Sequence, residues 1–369
     1  MNIKNKFIKF KYNSTIKVFN LKNKRLFSIF YNFNLKNTKD ILAKQKNNLD
    51  VLKNNETSKH NIDANSSNFF VNPYYLAGFT DAEGCFSVLC TRNKNCKTGW
   101  RIQVSFQIHL GKEDKNLLEK IKATLGVGKI YDSGNKSCVF VVYSPEELIS
   151  TIIPFFDKYP LLTQKRADFE SFKQVLNIID KKKHNTTEGL ENILSIKASM
   201  RNGLTKILAE SFPNIVAASK PIIKKPEVLN PNWICGFIDG EGCFIVHIQN
   251  LAKSKLGKTV KLQFKITQNE RDMEILNLIL LYFNCGRLQT DRDCKILTIT
   301  KFADIINILI PFFKDYPLQG IKFLNLADFI KVAELIENKA HLTSEGLNDI
   351  LRIKSGMNRG RKYDNTFIE

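Results

Sequence analysis

The sequence predicts an α+β chain in which one domain fold occurs twice. Three observations predict it. YLAGFTDAEGCF at residues 75–86 returns as WICGFIDGEGCF at 233–244, an offset of 158. Within each copy, segments of period-2 hydrophobicity give way to segments of helical period. Between the copies, residues 211–231 hold four of the ten prolines, Pro213, Pro221, Pro226 and Pro231, the composition of a semi-extended, exposed linker.

The repetition runs on past the motif. VSFQIHL (104–110) recurs as LQFKITQ (262–268), IIPFFDKYPLLTQK (152–165) as LIPFFKDYPLQGIK (309–322), and HNTTEGLENILSIKASM (184–200) as HLTSEGLNDILRIKSGM (341–357). A period of about 157 residues is far too long for a solenoid, so each copy is a domain. The predicted organisation is a basic, Asn/Lys-rich, flexible extension over 1–68, a first domain over 69–210, a linker over 211–230 and a second domain over 231–369. The extension, with no acid before Asp40, reads either as an organelle transit segment or as translated flanking sequence.

Each domain opens with a helix of about three turns. Asn72-Pro73 and Asn230-Pro231 supply an N-cap followed by a first-turn proline. A hairpin follows, with Phe86, Val88, Ile102, Val104, Phe106 and Ile108 on one face and Ser87, Arg101, Gln103, Ser105 and Gln107 on the other. In the second copy Phe244, Val246, Ile248, Val260, Leu262, Phe264 and Ile266 alternate with His247, Gln249, Lys261, Gln263 and Lys265. Leu117, Leu118, Ile121 and Leu125 then place a sheet-covering helix over 112–125. A second strand pair spans 129–143, and helices follow over 145–157, 163–180 and 187–200. Each unit reads αββαββα with an added C-terminal helix.

Composition narrows the partners. The 369 residues carry 56 Lys+Arg against 36 Asp+Glu, a net +20, of which residues 1–70 hold +10 and each later block +5. A positive balance spread over two folded blocks favours a polyanion, nucleic acid first and an anionic membrane surface second. Apolar runs stop near a dozen residues, as in FADIINILIPFF, too short to span a bilayer, so a soluble chain is expected. The eight cysteines contain no C-x-x-C pair and the five histidines are scattered. A zinc site is not expected, and the cysteines read as reduced, small buried hydrophobes.

The repeated helix carries the chemistry. Gly78 with Ala82, and Gly236 with Gly240, put small residues at i and i+4, where two backbones can meet. Two interior glycines each cost roughly 1 kcal/mol against Ala, which contact between the copies across a pseudo-two-fold axis would offset. Asp81 with Glu83, and Asp239 with Glu241, then lie at helix C-termini, where the dipole disfavours an acid by roughly 0.3–1 kcal/mol. Two carboxylates about 6 Å apart repel by roughly 3 kcal/mol at an effective dielectric of 20. Mg²⁺ or another divalent cation relieves both terms with carboxylate, carbonyl and water oxygens. A basic surface beside such a site points to phosphodiester hydrolysis by metal-bound water. Solvated helix-end acids are the alternative, and finding the same placement twice counts against it.

LAGFTDAEG (76–84) and ICGFIDGEG (234–242) resemble the paired signature of the LAGLIDADG homing endonucleases, in the single-chain, two-motif form of fungal mitochondrial introns. The similarity extends over roughly residues 70–365. It implies two four-stranded antiparallel sheets forming a saddle in the DNA major groove, two motif helices packed at the domain interface, a monomer and a mitochondrial location. It implies that Glu83 and Glu241 bind metal with the carbonyls of Ala82 and Gly240, and that Asp81 and Asp239 orient the helix ends. Gln268 matches a water-positioning glutamine, with Leu110 in its place in the first copy. Lys165 and Lys322 match an active-site lysine stabilising charge at the scissile phosphate; ordinary helix-start lysines are the alternative.

The outward strand residues Ser87, Arg101, Gln103, Ser105, Gln107, His247, Gln249, Lys261, Gln263 and Lys265 are candidates for DNA contact, to base edge or phosphate, or a solvated face. Because the halves differ, the expected target is a long non-palindromic duplex cut on both strands. An RNA maturase assisting group I intron splicing, alone or as a second activity, is the alternative function.

Overall fold

The computed structural model describes residues 7–12, 15–20, 69–223 and 228–361. Near the N-terminus β1 (Phe7–Tyr12) and β2 (Thr15–Asn20) pair antiparallel, in a unit over 1–61 separate from the unit over 62–369. The expected flexible extension otherwise lies outside the described residues.

The first domain begins with α1 (Pro73–Glu83), where the Asn72 side chain accepts from the N–H groups of Tyr74 and Tyr75 as the cap predicts. Gly84 ends it in extended backbone and starts β3 (Gly84–Arg92), so the helix passes into the sheet without a loop. Strand β3 pairs with β4 (Trp100–Gly111) in a register that sets Phe86 opposite Phe106 and Val88 opposite Val104. After one 3₁₀ turn, α2 (Lys115–Leu125) runs to Gly126, whose φ of 72° suits a residue without Cβ. The helix read from residue 112 thus begins three residues later. Strands β5 (Lys129–Asp132) and β6 (Ser137–Val142) complete an antiparallel sheet of order β3-β4-β6-β5.

Helix α3 covers residues 145–158, α4 Lys165–Asp180, α5 Thr187–Ser199 and α6 Lys206–Ser211. Where the sequence predicted one regular helix, the middle of α3, Leu148–Ile152, widens into π turns. Pro154 follows, and a proline ring that lacks an N–H and crowds the preceding carbonyl is accommodated by a looser turn.

The second domain repeats the order with α7 (Pro231–Glu241), β7 (Gly242–Asn250), β8 (Lys258–Asn269), α8 (Met273–Phe283), β9 (Arg287–Asp291), β10 (Cys294–Ile299), α9 (residues 302–315), α10 (Lys322–Glu337) and α11 (Ser344–Ser355). Its sheet order is β7-β8-β10-β9. The π turns recur at Ile305–Leu309, before Pro311.

One face of each sheet is packed by phenylalanines at matching places. Phe86 lies against Phe106, Phe156 and Phe172, as Phe244 lies against Phe264, Phe313 and Phe329. All are buried, and the residues read as outward stand on the opposite face. The linker has no helix or strand from residue 212 to 223, but its start is anchored rather than free. Phe212 packs on Trp100, the Ala218 N–H donates to the Ser195 carbonyl, and Leu208 seals a small core with Cys90, Leu190 and Leu194. Of the eight reduced cysteines only Cys90, Cys138 and Cys235 are buried; Cys85 is exposed, because it stands on the outward face of β3 directly after the motif.

Candidate active site where the two motif helices meet

Helices α1 and α7 touch backbone to backbone. A Cβ on Gly78 would lie 2.0 Å from the Trp233 carbonyl oxygen, and one on Gly236 2.0 Å from the Tyr75 carbonyl oxygen. These reciprocal contacts define a two-fold relation between the domains and give both interior glycines their reason. Further along, the Ala82 methyl fills the space over Gly240, where a Cβ would sit 2.2 Å from it and 3.4 Å from Glu83 Oε1. The Glu83 carboxylate therefore lies across the end of the neighbouring helix.

The paired acids of each motif have different surroundings. Asp81 is 5% exposed and accepts from the N–H groups of Leu162 and Thr163, the Thr163 hydroxyl and, from the other domain, Trp233 Nε1 at 3.0 Å. Asp239, also 5% exposed, accepts from the N–H groups of Gln319 and Gly320 and from the Tyr75 hydroxyl at 2.6 Å. Each aspartate ties its own domain's α3–α4 or α9–α10 loop to the opposite motif helix. Burial pushes the Asp81 carboxyl up and the Thr163 and backbone donors hold it back. Burial and Asp239 push the Tyr75 hydroxyl well up, so it stays a donor.

The glutamates sit at the open end. Burial raises the Glu241 carboxyl, a hydrogen bond from Gln268 lowers it, and the charge on Glu83 raises it further. Leu110 faces the corresponding place in the first domain with no donor to offer.

Lys165 and Lys322 open α4 and α10 and reach back to the motif helices. Lys165 Nζ donates to the carbonyls of Thr80 (2.8 Å) and Ala82 (3.1 Å); Lys322 Nζ donates to those of Ile238 (3.2 Å) and Gly240 (2.6 Å). A cation at a helix C-terminus satisfies terminal carbonyls and opposes the dipole, which removes part of the cost calculated for the acids. Burial lowers both ammonium groups, while Asp81, Glu83 and Glu241 pull Lys165 up and Asp239, Glu83 and Glu241 pull Lys322 up. Each lysine feels both glutamates.

A cavity of about 220 Å³ opens beside Glu241, bordered by Ala82, Lys165, Arg201, Gln268 and Arg271. Arg201 and Arg271 were not singled out from the sequence. Arg201 directly follows the repeated segment at 184–200, but the matching residue is Asn358, and the loss of repetition hid it. The oxygen donors suit a hard cation, although the carbonyls of Ala82 and Gly240 already accept from lysine and have one lone pair left to share. Among the described residues no group of three His, Cys, Asp or Glu could hold a metal ion by itself; two carboxylates completed by water and phosphate oxygens match the habits of Mg²⁺.

The candidate readers of DNA line the outward faces. Arg101, Gln103, Gln249 and Lys261 are exposed and Ser87, Ser105, Gln107, His247, Gln263 and Lys265 half-buried. They are tied to one another: Gln107 donates to Ser105 at 2.7 Å, and His247 shares a hydrogen bond with Gln263.

The profile of the LAGLIDADG endonuclease family matches residues 76–176 and 234–333. Among curated relatives, Probable intron-encoded endonuclease 3 of Neurospora crassa is 40% identical over 289 residues, 77% of this chain and 54% of its own length. Probable intron-encoded endonuclease 2 of the same organism is 37% identical over 301 residues, 78% and 65% of the two chains. The chain thus spans between half and two thirds of the length of these two curated relatives. Among solved structures, the meganuclease I-SmaMI bound to uncleaveable DNA superposes with a TM-score of 0.77 at 39% identity, over 79% of this chain and 99% of that one. I-CpaMI bound to uncleaved DNA gives 0.76 at 41% identity, over 78% and 99%. With both copies of the motif matched and joined in one chain through their glycine faces, this protein belongs to the LAGLIDADG endonuclease family.

Proposed function

We propose that the chain is a site-specific, divalent-metal-dependent DNA endonuclease that cuts both strands of a long, non-palindromic duplex, acting as a monomer in the mitochondrion that encodes it. The observation that carries this reading is the backbone contact at Gly78 and Gly236, which brings Glu83 and Glu241 to one shared end between two basic lysines. Supporting it are relatives whose names are intron-encoded endonucleases and structural neighbours that hold DNA.

In this reading Glu83 and Glu241 would hold the cation, with the Ala82 and Gly240 carbonyls as further oxygens. When bound, Mg²⁺ supplies an activated water and neutralises the leaving oxygen. Gln268 fixes the Glu241 carboxylate through its hydrogen bond. Lys165 and Lys322 hold positive charge next to the position of the scissile phosphate. Arg101, Gln103, Gln249 and Lys261 read base edges or phosphates, with the half-buried strand residues fixing their neighbours. Asp81 and Asp239 set the frame through the hydrogen bonds they accept from the opposite motif helix.

The test is a cleavage selection on randomised duplexes with Mg²⁺, next to splicing of the host intron RNA. One recurrent double-strand cut site, lost with chelator and lost in the Glu83→Gln/Glu241→Gln double variant, is expected. Splicing without any cut site would instead establish the maturase reading and remove this one.

A further inference from the structure

Two aspartates in this fold stand at the N-cap of one helix and serve another. Asp114 and Asp272 occupy the N-cap positions of α2 and α8, yet neither side chain bonds its own helix. Asp272 Oδ1 instead accepts from the N–H of Gln164, in the other domain, at 2.7 Å; Asp114 Oδ1 accepts from the N–H of Ile321, again in the other domain, at 2.6 Å. Gln164 and Ile321 are themselves the N-cap residues of α4 and α10 and make no side-chain cap. Isoleucine has no acceptor with which to do so. The next residues are Lys165 and Lys322.

We infer that Asp114 and Asp272 are positioning residues, each fixing the lysine of the opposite domain by capping the helix that begins with it. An orphan N–H at a helix start is satisfied by a carboxylate of favourable sign for the dipole, so the acid sets both the position and the direction of the first turn. That turn carries the lysine whose Nζ must reach the motif carbonyls. The second oxygen of Asp272 is held by Arg271 Nε at 3.3 Å, and Gly320 leaves room for Asp114, since a Cβ there would lie 3.0 Å from Asp114 Oδ1. The arrangement is crossed: the second domain sets the lysine of the first, and the first sets that of the second. Each lysine is therefore correctly placed only when the two domains are docked.

The inference rests on the nuclease reading for its rates, and a second measurement separates the two. On duplexes pre-nicked in one strand, so that each cut is timed alone, Asp272→Ala slows the cut made beside Lys165 by about tenfold or more and leaves the other within about twofold. Asp114→Ala does the reverse. Asp272→Asn and Asp114→Asn, which keep an acceptor oxygen, retain wild-type rates. Asp272→Glu, which keeps the charge but moves the acceptor outward by a methylene, slows the same strand as Ala and replaces it if the Ala variant does not fold. Equal slowing of both strands, or Asn variants as slow as Ala, overturns the inference while the nuclease reading stands. If the wild-type protein cuts neither strand, the nuclease reading fails, and NMR titration of ¹³C-methylated lysines decides. A Lys165 resonance shifted in Asp272→Ala and restored in Asp272→Asn supports the positioning role; one unmoved in both overturns it.

Discussion

In the second domain Glu241 is held by Gln268; in the first, Leu110 stands where that glutamine would be. Just beyond α5 Arg201 borders the cavity, whereas its counterpart Asn358 turns inward to donate to the Phe244 carbonyl at 3.0 Å. Against these differences, the packing of the halves is nearly interchangeable. Gly78 and Gly236, Tyr75 and Trp233, Asp81 and Asp239, Lys165 and Lys322, and Asp114 and Asp272 perform paired roles across the interface. A pseudo-symmetric interface constrains the positions at which the two halves touch each other. At an interface position, a side chain added on either helix meets the backbone of the other, so both copies stay constrained. A polar residue facing the cavity or the outward sheet touches only one half of the partner, and can diverge alone.

The largest effect is expected at the shared centre. Glu83→Gln or Glu241→Gln is expected to reduce double-strand cleavage by about 10³-fold, the scale of losing one fixed electrostatic group, and quantified linear product reports it. Because the carboxylates share one end, either single change should impair both cuts; loss of one strand alone would mean independent halves. Next, Gly78→Ala or Gly236→Ala forces a methyl into a carbonyl oxygen and should destabilise the protein by about 3 kcal/mol. Urea unfolding checks this, and equal losses at the two glycines are the signature of the two-fold.

Asp114 tests the interface through pH. Burial pushes its carboxyl up to about 6, against an ordinary value of 3.8, with the Ile321 N–H pulling the other way. The folded chain then holds a proton that the unfolded chain releases, so this group's contribution to stability falls as pH rises between these values and is level above them. The window is worth about 2 kcal/mol after allowance for partial exposure. In Asp114→Asn the decline in stability between pH 4 and 6 should flatten by about that amount. Gln268→Leu gives the second half the first half's residue and should slow one strand's cut by about tenfold, and Leu110→Gln should narrow the difference between strands.

Local pattern made much of this legible. Asn72-Pro73 and Asn230-Pro231 fixed two helix starts, the alternation around Phe86 and Phe244 fixed which strand face is core, and a glycine repeated at a fixed offset announced a close contact. Lys165 and Lys322 were visible as repeated positions, but nothing near them in sequence says that their ammonium groups reach back some eighty residues to motif carbonyls. The π turns before Pro154 and Pro311 were hidden because the hydrophobic period continues through them. Arg201 was hidden by a symmetry that ends one residue before it.

The chain's linear order determined that there are two copies, where their elements lie, and that small residues on the motif helices face one another, since propensity, capping and periodicity are properties of neighbouring residues. Only tertiary structure decided which acceptor each donor finds. Asp114 and Asp272 stand at the N-caps of α2 and α8 without bonding them, yet accept from N–H groups 207 and 108 residues away. A partly buried donor left unpaired costs more than a solvated cap gains, and that balance exists only once the domains have closed on each other.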